Sequence, residues 1–355
     1  MIKLLIVDDS ALMRRQLSML FESEGGFEIQ LARNGKQAIE ECHNFKPDVV
    51  TLDINMPEMD GITALSLIME ESPVPVVMVS SLTEKGALAT FEALNLGAVD
   101  YIAKPDGTIS LSLDKIKDEL ITKVRAAARA KLRKKSTNLA PSKRVAEQTI
   151  SFNKKLSSTK HGASKDGLVI IGVSTGGPRT LEDILPLLPA DFPFPVLVVQ
   201  HMPAAFTKSF ADRMNGLCQL KVVEVNTPMA VESGVVYIAK GGADMQLVKR
   251  AERLMVISKP ESTSYLWHPS VELLGQSVIE HFDCRNVIAV MLTGMGNDGA
   301  DSFTEIKQRG GKTIAESEET AVVFGMPAEL INKGGASIVL PLEKIAPQLL
   351  NWANK

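Results

Sequence analysis

Short β-branched runs alternate with amphipathic stretches along most of the chain, and this alternation constrains the fold more than any other feature. Leu4 to Asp8, Glu28 to Ala32, Val49 to Asp53, Val76 to Ser80 and Val99 to Ile102 read as strands, with helical periodicity between them. Repeated βα units set successive strands parallel, so the first part is expected to be a five-stranded, doubly wound parallel sheet. The pattern resumes at Leu168, where Leu168 to Val173, Val196 to Gln200 and Val287 to Leu292 each enter a turn punctuated by Gly or Pro. Between the last two, Leu220 to Val225, Val235 to Ala239, Gln246 to Lys249 and Leu254 to Ser258 read as short strands and hairpins. The expected fold class is α/β in two domains, the second a doubly wound domain with an antiparallel insertion.

Composition marks the boundary. From Lys123 to Asp166 there are thirteen Lys and Arg against two acids, Glu147 and Asp166, although the whole chain carries a net charge of −3. This stretch is rich in Ser, Thr and Ala and loses apolar periodicity after about Lys135, as a solvated tether does. Domains are therefore expected at 1–122 and 165–355, joined by a basic linker over 123–164. Phe152 is the one aromatic residue in the basic stretch and no recognition-helix pattern accompanies it, so no nucleic-acid partner is expected. The longest apolar runs fall far below the ~20 residues that cross a bilayer, and acidic Asp8 and Asp9 follow the first one directly. Neither membrane insertion nor a secretory signal is expected, and the location is expected to be cytoplasmic. Cys42, Cys218 and Cys284 lie too far apart for a Cys-x-x-Cys site and read as reduced thiols.

In an open α/β sheet, ligands gather in the crevice at the carboxyl ends of the strands. Asp8 and Asp9 follow the first strand and Asp53 ends the third. Three carboxylates in one crevice repel one another without a cation, which points to a hard, oxygen-liganded Mg²⁺. Ser80 ends the fourth strand and Lys104 the fifth, adding a hydroxyl and an ammonium. Such a set suits a transferred phosphoryl group, with an aspartate as nucleophile and donors and cations for its charge. Any of these aspartates alone would read as a helix N-cap, but five matched positions make that a poor account.

The second part carries a different chemistry. Ser174 lies in Gly172-Val173-Ser174-Thr175-Gly176-Gly177-Pro178, a Gly-rich turn between a strand and an amphipathic pattern through Leu181, Ile184, Leu185 and Leu188. A helix N-terminus there favours negative charge, and the Gly-x-Ser-x-Gly spacing exposes the serine oxygen. A dinucleotide site would want an acid at the end of the next strand, but Val196 to Gln200 ends in His201. Histidine suits proton removal, so the chemistry shifts toward activating Ser174. Asp298, in a Gly-rich turn beyond Val287 to Leu292, is the preferred carboxylate partner. Asp301 lies one helical turn further on, whereas Asp183 and Asp244 lack a strand-end context; His268 could line the pocket, and His43, His161 and His281 read as surface groups.

Two resemblances gather these motifs. Leu5-Ile6-Val7-Asp8-Asp9-Ser10, the run from Asp53 to Gly61 and Gly97 to Pro105 resemble a response-regulator receiver domain. That resemblance implies Asp53 as phospho-acceptor from a histidine kinase, and Mg²⁺ held by Asp9, Asp53 and the Asn55 backbone carbonyl with Asp8 assisting. It also implies Ser80, Tyr101 and Lys104 as the switch. Gly172 to Pro178, Gln200-His201-Met202-Pro203, His268-Pro269-Ser270-Val271-Glu272 and Leu292 to Gly299 resemble the catalytic domain of the chemotaxis protein-glutamate methylesterases, the CheB family. This implies Ser174 as nucleophile, His201 as base, Asp298 as orienting acid and the Met295 backbone N–H as oxyanion donor, with no cofactor at the esterase site. The implied activity is a phosphorylation-activated hydrolase that demethylates glutamate γ-methyl esters on the cytoplasmic domains of chemoreceptors and deamidates glutamines. One departure is visible: the family often has Arg before Pro-Ser-Val-Asp, where this chain has His268 and ends the motif in Glu272. The rival readings are a receiver joined to a DNA-binding module, a nucleotide-binding second domain, and an esterase for a small metabolite or another protein.

Overall fold

A computed structural model describes residues 1–81, 83–104, 109–132 and 167–354. Most of the expected linker, and His161 with it, lies outside the described residues. The first domain runs β1 (Ile2–Val7), α1 (Ala11–Glu24), β2 (Phe27–Ala32), α2 (Gly35–Asn44), β3 (Val49–Asp53), α3 (Gly61–Glu71), β4 (Val76–Ser81), α4 (Glu84–Leu96), β5 (Asp100–Lys104) and α5 (Ile109–Ala127). Its five strands are all parallel in the order β2-β1-β3-β4-β5, as the βα alternation dictates. Each of the first four helices starts where a short polar side chain accepts an otherwise orphaned amide: Ser10, Asn34, Asp60 and Thr83. Helix α5 continues past residue 122, and Val124 and Ala127 are buried in the first domain's core.

The second domain runs β6 (Leu168–Val173), α6 (Gly177–Ile184), β7 (Val196–Gln200), α7 (Ala204–Leu217), β8 (Lys221–Val225), β9 (Met229–Ala230), β10 (Val235–Ala239), β11 (Ala243–Arg250) and β12 (Arg253–Pro260). It continues with α8 (Val271–His281), β13 (Val287–Met291), α9 (Ala300–Gln308), β14 (Lys312–Glu316), α10 (Met326–Asn332), β15 (Ile338–Leu340) and α11 (Leu342–Ala353). Seven strands form one parallel sheet in the order β15-β14-β13-β6-β7-β10-β8. The antiparallel insertion is smaller than expected. β8 and β10 pair in parallel within the main sheet, and only β9, β11 and β12 form the antiparallel piece. The reason is positional: α7 carries the chain across to β8, and β10 then fills the gap beside β7, so both take the main sheet's direction. The strand order reverses between β6 and β13, and there the crevice opens. Among the described residues no helix is long and apolar enough to cross a membrane.

The two domains share a hydrophobic core. Phe91 of α4 packs on Phe210 and edge-on to Phe206 of α7, with centroid distances of 5.6 and 6.4 Å. The Tyr101 ring of β5 lies 4.8 Å from Phe206. Burying three phenylalanines and a tyrosine makes this contact a rigid seat, since each ring removes a large apolar area from water.

Candidate active site

Ser174, His201 and Asp298 stand beyond the carboxyl ends of three adjacent strands, β6, β7 and β13. The turn that carries Ser174 is made by close approaches that only glycine permits. A Cβ on Gly172 would lie 2.5 Å from Val271 Cγ1, and one on Gly294 would lie 2.7 Å from Ser174 Cβ. Gly176 has φ +78°, the left-handed region, and caps α6. The Ser174 amide donates to Thr293 O at 3.0 Å, while its carbonyl accepts from Gln200 Nε2 at 2.9 Å and from the Gly177 amide at 2.9 Å. The serine backbone is thus held from both neighbouring strands.

His201 Nε2 lies 2.8 Å from Asp298 Oδ2, and the imidazole is almost enclosed, with 11% of its side chain exposed. Its buried Nδ1 has no hydrogen-bond partner among the described residues. With Nε2–H given to the carboxylate, Nδ1 carries the lone pair. Asp298 Oδ2 also accepts from the Val271 amide at 2.7 Å, and Oδ1 accepts from the Glu272 amide at 2.9 Å and Ser270 Oγ at 3.0 Å. Burial works to raise the Asp298 pKa, but the His201 contact and these two amides at the start of α8 outweigh it, so the carboxyl stays below its ordinary range. A buried carboxylate that is ionised and fully hydrogen-bonded is what an imidazole needs to be held in one tautomer.

The competing residues are placed elsewhere. Asp301 bonds Lys333 Nζ at 2.6 Å, and His43 and His281 sit against Glu71 and Glu280. Asp244 pairs with His268 at 3.0 Å, away from His201 Nε2. The Met295 amide makes no hydrogen bond among the described residues, and Gly325 approaches the same loop so closely that a Cβ would lie 2.7 Å from Gly294 O. Sequence reasoning missed Gln200 and the pair Thr293 and Glu316. Thr293 Oγ1 donates to Thr175 O, and the buried Glu316 carboxylate accepts the Thr293 amide at 2.9 Å. A glutamate ending β14 at the sheet's carboxyl edge was the available signal.

In the first domain, Asp8, Asp9 and Asp53 bring carboxylate oxygens within 4.8 Å of one another. Lys104 Nζ reaches Asp8 at 3.0 Å and Asp53 at 2.9 Å. Burial raises the Asp53 pKa, and Lys104 only partly offsets it. For Lys104 itself burial opposes the charge, but Asp53 and Asp8 outweigh it and push its pKa up. An oxygen-only donor set of this size fits a hard divalent cation, and Mg²⁺ binding is general among receiver domains. Asn55 is exposed beside Asp53. Ser80 is buried, its hydroxyl donating to Gly86 O at 3.2 Å. Tyr101 lies apart from the carboxylates, buried against Phe206 at the domain interface.

A second feature missed from sequence joins the two sites. Thr175, the residue after Ser174, donates its hydroxyl to Asp100 Oδ2 of β5 across the interface at 2.8 Å. Asp100 Oδ1 accepts the Tyr101 amide at 2.8 Å and lies 3.6 Å from Lys123 Nζ, which also donates to Tyr101 O at 2.8 Å. The signal was Asp100 itself, an acid that opens the strand running on through Tyr101, Ile102 and Ala103.

A receiver domain seated on a hydrolase domain is the class that this fold and site define. The chain matches the family model for the response regulator receiver domain over residues 4–113 and that for CheB methylesterase over residues 169–349. It is 52% identical to a Rhodospirillum rubrum protein-glutamate methylesterase/protein-glutamine glutaminase, covering 100% of this chain and 97% of that one. It is 45% identical to a protein of the same description from Archaeoglobus fulgidus, covering 99% and 97%. The crystal structure of the Thermotoga maritima CheB methylesterase catalytic domain aligns with a TM-score of 0.51 and 40% identity over 53% of this chain and 99% of that one. The chain belongs to the CheB methylesterase family.

Proposed function

We propose that this chain is a phosphorylation-activated protein-glutamate methylesterase and protein-glutamine glutaminase acting on chemoreceptors in the cytoplasm. The observation that carries the chemistry is the 2.8 Å contact of His201 Nε2 with buried Asp298, which leaves Nδ1 as the nitrogen available to take the Ser174 proton. Ser174 Oγ attacks the γ-ester carbonyl and gives its proton to His201 Nδ1. Asp298 stabilises the imidazolium, and the Met295 amide donates to the developing oxyanion. His201 returns the proton to the leaving methoxide, which departs as methanol, and water then cleaves the acyl-enzyme to give glutamate. With a glutamine substrate the same steps release ammonia.

Asp53 is the phospho-acceptor, supplied by the chemotaxis histidine kinase. Asp8, Asp9, Asp53 and the Asn55 carbonyl would hold Mg²⁺, which supplies charge neutralisation for the phosphoryl group. Phosphorylation replaces the single negative charge of the Asp53 carboxylate with an acyl phosphate of about −1.5 to −2 beside Lys104 and Ser80, on the strand that carries Tyr101 and its neighbour. The unphosphorylated receiver restrains the Ser174 turn through the Asp100 to Thr175 bond and the Phe206 seat, and phosphorylation loosens both. The test is methanol release from methylated chemoreceptor membranes by wild type and Ser174→Ala, with and without a small phosphodonor and Mg²⁺. Donor-stimulated release that Ser174→Ala abolishes is the expected result. No release from folded wild type under any condition, or release that survives in Ser174→Ala, overturns it, and salt-sensitive DNA binding would favour the rival class.

A further inference from the structure

The segment from Glu261 to Ser270, which joins β12 to α8, crosses the catalytic base. Its Trp267 ring lies parallel to the His201 imidazole, with 2° between the planes and 5.7 Å between centroids. The edge of the indole reaches the loop that carries Met295 and Asp298. Gly296 there has φ +87°, and a Cβ on it would lie 2.7 Å from Trp267 Cζ2. The indole therefore fills the space between the base and the oxyanion loop, and only glycine at 296 lets it in.

A buried acid anchors this segment. Asp244, 1% exposed, accepts the Ser262 amide at 3.0 Å and the Ser270 amide at 3.0 Å, and faces His268 Nδ1 at 3.0 Å from both oxygens. His268 Nε2 lies 3.2 Å from Tyr265 O. Both ends of the segment and the residue next to Trp267 thus converge on one carboxylate. That also accounts for His268 at the position where Arg was the family expectation: a flat ring with two nitrogens spans from Asp244 to the Tyr265 carbonyl.

We propose that Trp267 is a positioning residue for His201, with Asp244 and His268 as its anchor; the role rests on the esterase reading above. Ring stacking opposes rotation of the imidazole, so Nε2 stays on Asp298 and Nδ1 stays available. The indole face also favours the imidazolium that forms in each half-reaction, which a neutral ground state does not share. Removing it lowers kcat and leaves substrate binding alone.

The test uses the full-length protein with phosphodonor, Mg²⁺ and methylated receptor membranes. Trp267→Ala is expected to lower kcat roughly 3- to 30-fold with KM unchanged, and Trp267→Phe to recover most of the loss. Wild-type kcat in Trp267→Ala, or a rise confined to KM, overturns the role. A second measurement needs no activity. Trp267 and Trp352 are the only tryptophans, so in a Trp352→Phe background the emission reports Trp267 alone. His201→Gln is expected to change that emission, because the ring facing the indole is lost; emission identical to that of the Trp352→Phe parent overturns the stacking. Ser174→Ala run in parallel separates the two ideas. If it is inactive while Trp267→Ala matches wild type, only the Trp267 role fails, whereas activity in Ser174→Ala overturns the esterase reading and this role with it.

Discussion

At the residue scale, the second site depends on one carboxylate whose ionisation is built into the fold. Asp298→Asn would keep the shape of the side chain but put an amide where His201 Nε2–H needs an acceptor, favouring the wrong tautomer. We expect kcat to fall by roughly 10³- to 10⁴-fold with near-normal KM, as measured by methanol release. The same residue sets a pH dependence of stability. The folded-state pKa of Asp298 is depressed, so its contribution is present above the ordinary carboxylate pKa and is lost as pH falls through the folded value. Urea unfolding from pH 7 to pH 3 should therefore show a steeper loss in wild type than in Asp298→Asn. Gly294→Ala tests the packing beneath the nucleophile. Its new Cβ would meet Ser174 Cβ at 2.7 Å, so the turn must shift, and we expect a loss of about 1 to 3 kcal/mol in stability together with a large fall in kcat.

At the scale of elements, β5 is the part that belongs to both sites. Lys104 at its end reaches Asp53, Tyr101 in its middle packs on Phe206, and Asp100 at its start holds Thr175. A strand is stiff along its length, so a displacement of Lys104 is felt at Asp100. Asp100→Asn weakens the charged acceptor for Thr175 and is expected to raise donor-free methanol release severalfold while shrinking the stimulation by phosphodonor. It should also lower the melting temperature, because Lys123 then keeps only Glu119 as an ion-pair partner among the described residues. Unchanged basal release in the folded variant would show that this hydrogen bond does not restrain the enzyme. The elements themselves were legible from periodicity, since β1 to β8 and β10 to β13 fall on runs that the sequence marks. β14, β15 and the two-residue β9 were not read: β15 and β9 are only three and two residues long and alternate little.

At the scale of the whole molecule, the two domains pack on each other through the α4 to α7 seat. Asp53→Asn should abolish the response to phosphodonor and Mg²⁺ in the release assay. In wild type, adding both should lower hydrogen-exchange protection in α4 and α7, and Asp53→Asn should show no such change. Protection that is the same with and without donor would mean that phosphorylation acts without loosening the seat.

The sequence by itself determined the α/β class, the two patterned domains and the residues that end each strand, because backbone pairing, helix periodicity and turn chemistry are local properties written every few residues. It also brought Ser174, His201 and Asp298 to one sheet edge, since a doubly wound sheet places all its strand ends there. Tertiary structure alone decided which imidazole nitrogen faces the acid, that Trp267 lies over that ring, and that Asp100 of one domain reaches Thr175 of the other. These are contacts between side chains 66 to 97 residues apart in the chain, and distances of that kind are set by how helices and sheets pack. No local pattern encodes them.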